Sequence, residues 1–250
     1  MSDICYKKNF LKQVIAKVEF AQPLTDLSNE SMLAAMKEIK TRFQIAEQKV
    51  GIHQGIEITD KEVTHSKSEF PEWNFHSTDR DKSLTLNPHF IQVLLTKYQS
   101  ENNFQQDLIA PISNIIGSRP STIVSKTGIR FINVFDFDEL ANFNSVREYF
   151  SDSVVSPITL IKDAQKCTRS FLINEFMEGD IKWRVQTGYF NPDYPALIKK
   201  HQFAIDIDAY IDFPHSISYV SQYFVSFHKI IQTTFESLIT DKLRKEVLNA

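Results

Sequence analysis

Cysteine is nearly absent from the chain. Cys5 and Cys167 are the two present, far apart and in no Cys-x-x-Cys or Cys/His spacing, which fits a reducing compartment and argues against structural zinc. Glycine is also scarce, with 6 in 250 residues, and no glycine-rich nucleotide fingerprint occurs. No apolar run is long enough to cross a bilayer as a helix, so no membrane association is expected. The opening Met1-Ser2-Asp3-Ile4-Cys5-Tyr6-Lys7-Lys8 has neither an apolar h-region nor a small-residue cleavage site, and a cytoplasmic location is the expectation. Basic charge is not in excess: Lys plus Arg number 28 against 31 Asp plus Glu, a net charge of -3, which gives no support for a nucleic-acid partner. The 7 histidines form no His-x-x-x-His pair, and no serine or cysteine stands in a recognisable nucleophile elbow. No catalytic residue, metal or cofactor is expected.

What the chain has is phenylalanine, 20 in all, and strands built from it. The run Thr127-Gly128-Ile129-Arg130-Phe131-Ile132-Asn133-Val134-Phe135 is β-branched and aromatic, and too poor in helix formers for an amphipathic helix. It reads as a central strand. Ile129, Phe131, Asn133 and Phe135 then share one face, while Arg130, Ile132 and Val134 share the other. Each face carries one polar group among hydrophobes, so Arg130 and Asn133 each require specific partners. A structural clasp and a ligand contact are the competing readings.

Along the chain, residues 10 to 21 read as a strand with Val14, Ala16, Val18 and Phe20 on one face. A helix capped by Ser28 or Asn29 follows and runs to about Ala46. Strands near 51–59, 72–77, 83–86 and 89–95 read as an antiparallel meander, and Phe104, Leu108, Ile112, Ile115 and Ile116 mark a helix over 100–116 that Gly117 terminates. A boundary near residue 150 divides a unit over 1–150 from one over 151–250. In the latter, strands over 168–177, 181–190 and 202–213 precede Ser216, which caps a helix of roughly 24 residues striped by Ile217, Val220, Phe224, Phe227, Ile231, Phe235 and Leu238. The predicted fold is α+β: two antiparallel sheet-plus-helix units, the long C-terminal helix packed on the second sheet, with one compact domain as the alternative.

With the segments placed, four motifs stand in order: Tyr6-x-x-Asn9-x-Leu11-x-x-Val14-Ile15, then Phe75-x-Ser77-x-Asp79 with Leu84-Thr85-Leu86, then Gly128-Ile129-Arg130-Phe131-Ile132-Asn133, and finally Phe227-His228 with Phe235, Ile239-Thr240 and Leu243-Arg244. In these the chain resembles, end to end, a sporadically distributed bacterial family of proteins of unknown function. It departs at Phe10, where a proline is common, and at Phe131, where tyrosine is frequent. The resemblance implies a bacterial protein of about this length, with mobile-element or defence gene clusters as an expected setting. It brings no established catalytic residues.

Four side chains remain as binding candidates: Arg130, Asn133, His228 and Arg244. His228 flanks the apolar stripe of the last helix and reads more economically as a hydrogen-bonded core histidine than as a base. Arg244, in a helix restart capped by Thr240, seeks a carboxylate, for which Asp206 or Asp208 is the expectation. Glu175, Glu178, Asp180 and Lys182 superficially resemble a metal-dependent nuclease set, but Glu178-Gly179-Asp180 falls in the turn itself. The functional expectation is a non-enzymatic interaction module with a protein partner or self-association, presenting interface-type aromatics such as Trp73, Tyr189, Tyr194 and Tyr210. The alternatives are a metal-dependent nuclease or nucleotide hydrolase, and a sensor of a small anionic ligand that uses Arg130.

Overall fold

The computed structural model of the protein describes residues 6–25, 27, 30–58, 63–98, 103–136, 146–160, 166–191, 193–196 and 202–249. Cys5, the caps expected at Ser28 or Asn29, and the 138–143 stretch lie outside them. Among these residues ten strands are present: β1 Leu11–Phe20, β2 Ile45–Ile58, β3 Val63–His76, β4 Lys82–Leu86, β5 Phe90–Leu95, β6 Ile123–Asp136, β7 Ser170–Glu178, β8 Ile181–Phe190, β9 Gln202–Ile211 and the short β10 His215–Ser216. They form one sheet in the order β2-β3-β4-β5-β1-β6-β9-β8-β7, with β10 extending the pairing of β6. Every pairing is antiparallel.

The fold is therefore α+β, but the expected two sheets are one. The correction lies at β6, which pairs with β1 along one edge and with β9 along the other, from Thr127 opposite Ile211 to Asp136 opposite Gln202. Two separate sheets would have left one edge of this apolar strand without hydrogen-bond partners. The alternation read from the sequence matches across the join. Ile129 and Phe135 on β6 are fully buried, as are Phe203, Ile205, Ile207, Ala209 and Ile211 on β9.

Helices cover that apolar face. Helix α1, Glu30–Ile39, ends well before the expected Ala46: Thr41 Oγ1 donates to Glu38 O at 2.7 Å and Phe43 N to Ile39 O at 2.9 Å, and this closed turn carries Phe43 into the core. The helix formers Ala46, Glu47 and Gln48 are drawn instead into β2 by pairing with β3, tertiary pairing overriding local propensity. The second helix begins as π-helix, Phe104–Ile109, and continues as α2, Ala110–Gly117. Pro111 has no amide hydrogen to return to the carbonyl of Asp107, and the turn ahead of it is wound wider. The C-terminal helix α3, Val220–Leu238, is led in by one 3-10 turn whose Ser216 cap accepts from Ser218 N. The expected stripe is buried at Ile217, Val220, Phe224, Phe227 and Ile231, and it lies on β6 and β9, the middle of the single sheet. No helix among the described residues is long and apolar enough to cross a membrane.

At the sheet edge, β3 pairs with β4 only from Trp73 to His76. Beyond that point β2 and β3 run on, alone among the described residues, as a two-stranded ribbon from Lys49 opposite Glu72 to Ile58 opposite Val63, roughly 30 Å at the usual rise per residue. Register continuity sets Val50 and Ile52 on the same face as core Phe75, yet they are 65% and 52% exposed, and Val63 is 55% exposed. At the opposite edge, the hairpin expected at Glu178-Gly179-Asp180 is present, with Gly179 at φ 58 supplying the left-handed turn.

Candidate functional site

The face of the sheet opposite the helices carries Arg130. It projects from the middle of β6, and its guanidinium forks onto Asp206 of β9: Nε donates to Oδ1 at 2.8 Å and an Nη to Oδ2 at 2.5 Å. Asp206 is the first cause of a guanidinium pKa held above its ordinary value. Asp208, directly across from Arg130 in the β6–β9 register, is left to Arg184 of β8 at 3.7 Å. Burial pushes the Asp208 carboxyl up, against the pull of Arg184, Lys126 and Arg130.

Beside this pair is a hollow of about 260 Å³ with Gly128 in its lining. A Cβ at Gly128 would lie 3.0 Å from the Tyr210 Cβ and 3.3 Å from Ala209 O, so the strand needs glycine where β9 passes this close. Ile15, Lys17, Lys126, Glu19 and Gln92 complete the rim with Arg130 and Asp208. The cations of the rim are already engaged. Lys17 meets Glu19 at 2.8 Å and lies over the Phe90 ring, Lys126 lies over the Tyr210 ring, and Arg130 holds Asp206. An anion entering the hollow would compete with these partners; Arg130 ties β6 to β9 through Asp206 and is at the same time part of the hollow's lining.

The other three candidates do not join Arg130. Asn133 is buried on the helix-covered face, and no described residue hydrogen-bonds its amide. His228 accompanies that same side: its Nε2 is 3.2 Å from the Tyr98 hydroxyl, and its ring packs against Phe104 and Phe131. It is the hydrogen-bonded histidine of the core margin that the stripe implied. Arg244 does not reach Asp206 or Asp208. Its Nε donates to Glu236 Oε2 at 2.8 Å and Nη1 to Asp241 Oδ1 at 2.8 Å, because the restart after Leu238 folds Arg244 back along the end of α3. Tyr6 donates to the other oxygen of Glu236 at 2.6 Å, tying the start of the chain to its last helix. Thr240 caps the restart as expected, accepting from Leu243 N at 3.4 Å.

The nuclease set lies along the β7–β8 hairpin. Glu175 stands opposite Arg184, Lys182 donates to both oxygens of Asp212, and Glu178 and Asp180 flank the hairpin glycine. Among the described residues, no group of three His, Cys, Asp or Glu side chains is placed to hold a metal ion. Of the aromatics, Tyr189 is core at 1% exposure and Trp73 stacks on Phe75, whereas Tyr194 is exposed beneath Arg169 and Tyr210 lies under Lys126.

A buried carboxylate that periodicity did not reveal is Asp107, on the π-turn. It accepts from Lys82 Nζ at 2.8 Å, Asn103 Nδ2 at 2.9 Å and Arg42 Nη1 at 3.0 Å, joining the helix layer to β4. Burial pushes its pKa up, yet Lys82, Asn103 and Arg42 together hold it below the ordinary value. The signal available in sequence was its place in the apolar stripe, three residues from Phe104 and one from Leu108. In comparisons with known proteins, the chain matches no family model and no curated protein.

Proposed function

We infer that the protein is a non-enzymatic interaction module that docks a protein partner on the β2–β3 ribbon. The observation that carries this reading is an apolar face continued past the core. Val50, Ile52 and Val63 repeat the period-two pattern of a half-buried strand, but no helix covers them among the described residues. A two-stranded ribbon alone is marginally stable in water, and a partner on its apolar face would supply the missing burial.

Affinity purification of the tagged full chain from a bacterial host, in parallel with a Val50→Lys/Ile52→Lys variant, tests the reading. A protein recovered in stoichiometric amount with the wild type and lost with the variant supports it. Equal recovery with both, or recovery of a nucleotide or metal alone, contradicts it.

A further inference from the structure

We propose that the hollow around Gly128 binds a small zwitterion of the free α-amino acid class, with its ammonium on Asp208 and its carboxylate on Lys126. The site is on the face of the sheet opposite the helices and is independent of the ribbon. It is opened by one residue. In the strand register Gly128 stands between Lys17 of β1 and Tyr210 of β9, with Lys126 and Arg130 two residues to either side on its own strand. These positions share one face, so the missing side chain at 128 leaves a depression in the middle of a charged patch. At about 260 Å³ it is smaller than the roughly 300–1,000 Å³ pockets that hold drug-sized ligands, which limits the occupant to a small metabolite.

The unmet bonding capacity of the lining sets the ligand class. Asp208 accepts no hydrogen bond from a described residue; its ion-pair contact is Arg184 at 3.7 Å, and burial pushes its carboxyl up. Lys126 lies over the Tyr210 ring at 4.7 Å and has no carboxylate within ion-pair distance among the described residues. A carboxylate in need of a donor and an ammonium in need of an acceptor thus border one hollow. Net charge points the same way. Lys17, Lys126 and Arg130 stand against Glu19, Asp208 and the Asp206 that Arg130 holds, so the site as a whole is neutral. A phosphate dianion would meet Glu19 and Asp208 in the rim, and a polyamine would meet three cations. A zwitterion adds no net charge, gives Asp208 a direct charge-assisted donor, and asks Lys126 to give up only a cation–π contact. A nucleobase finds no aromatic ring in the lining to stack on, since the Phe90 and Tyr210 rings lie beneath Lys17 and Lys126. Ile15 supplies the apolar side chain of the lining, which favours a ligand with a small aliphatic side chain.

Isothermal titration of the purified full chain with each of the standard free L-amino acids tests the site, with inorganic phosphate, putrescine and uridine as probes of the other three classes. At least one aliphatic amino acid is expected to bind one to one. Its amide and its N-acetyl derivative, each lacking one of the two charges, are expected to bind about tenfold or more weakly. Asp208→Asn keeps the shape of the side chain and removes its charge, and it is expected to weaken binding about tenfold or more, as is Lys126→Met. Ile173→Lys, on the edge strand β7, leaves binding unchanged, and thermal melts establish that each variant is folded. The proposal is overturned if no amino acid binds at roughly millimolar concentration, if the derivatives bind as well as the parent, if phosphate, putrescine or uridine is preferred, or if folded Asp208→Asn binds like wild type.

Discussion

Arg130 takes its carboxylate from Asp206, two residues along β9, and not from Asp208 directly opposite. The two aspartates stand on one face of one strand with different standing. Asp206 is held by a two-point fork and is 12% exposed, whereas Asp208 is 23% exposed with one guanidinium at 3.7 Å. Replacing Asp206 by Asn is expected to destabilise the fold by about 1–3 kcal/mol, since it weakens a charge-assisted pair between the halves of the chain. Asp208→Asn is expected to be neutral or stabilising at pH 7. A raised carboxyl pKa means that ionisation costs stability once the pH exceeds the unfolded value, and the amide removes that cost. Urea denaturation of the two variants checks the contrast.

Asp107 predicts acid sensitivity. Its carboxyl is depressed in the folded chain, so its contribution is fully present above the unfolded value of about 3.9 and is lost as pH falls through the folded one. Thermal midpoints measured from pH 7 down to pH 3 should fall for wild type and fall less for Asp107→Asn. At pH 7 the same variant should be less stable by about 2–3 kcal/mol, because Lys82 and Arg42 lose the carboxylate that pairs them.

The C-terminal clasp predicts a local effect. Arg244→Ala leaves Glu236 with Tyr6 alone and removes the tie between α3 and the 243–248 turn. The expected cost is about 1–3 kcal/mol, and hydrogen exchange should speed first in 240–249 and in the N-terminal residues that bond there, among them Lys8, whose amide donates to Leu248 O. Tyr6→Phe should show a smaller change of the same pattern.

Much of this architecture was legible one element at a time. β9 showed its alternation in plain sequence, β8 begins and ends where the pattern placed it, and the spacing from Ile217 to Leu238 announced a helix with a core-facing stripe. What local periodicity could not show is which strand meets which. β6 and β9 join across the 65 residues between Asp136 and Gln202, and nothing in either strand distinguishes one shared sheet from two. The same limit hid the partner of Arg244, which is eight residues away in sequence, because an irregular restart and not a regular helix brings Glu236 within reach. Arg130 was legible as a residue in need of a carboxylate, and the identity of that carboxylate waited on the register. The ribbon was hidden for another reason: its apolar alternation is that of an ordinary half-buried strand, and only exposure shows that nothing in the described fold covers it.

The central claim is that the β2–β3 ribbon is a docking surface, and parallel affinity capture with wild type and the Val50→Lys/Ile52→Lys variant tests it most directly. Both positions are exposed, so the variant should fold with stability within about 0.5 kcal/mol of wild type. The account predicts a stoichiometric protein retained by the wild type and lost by the folded variant. Capture of the same protein in equal amount by both would contradict it.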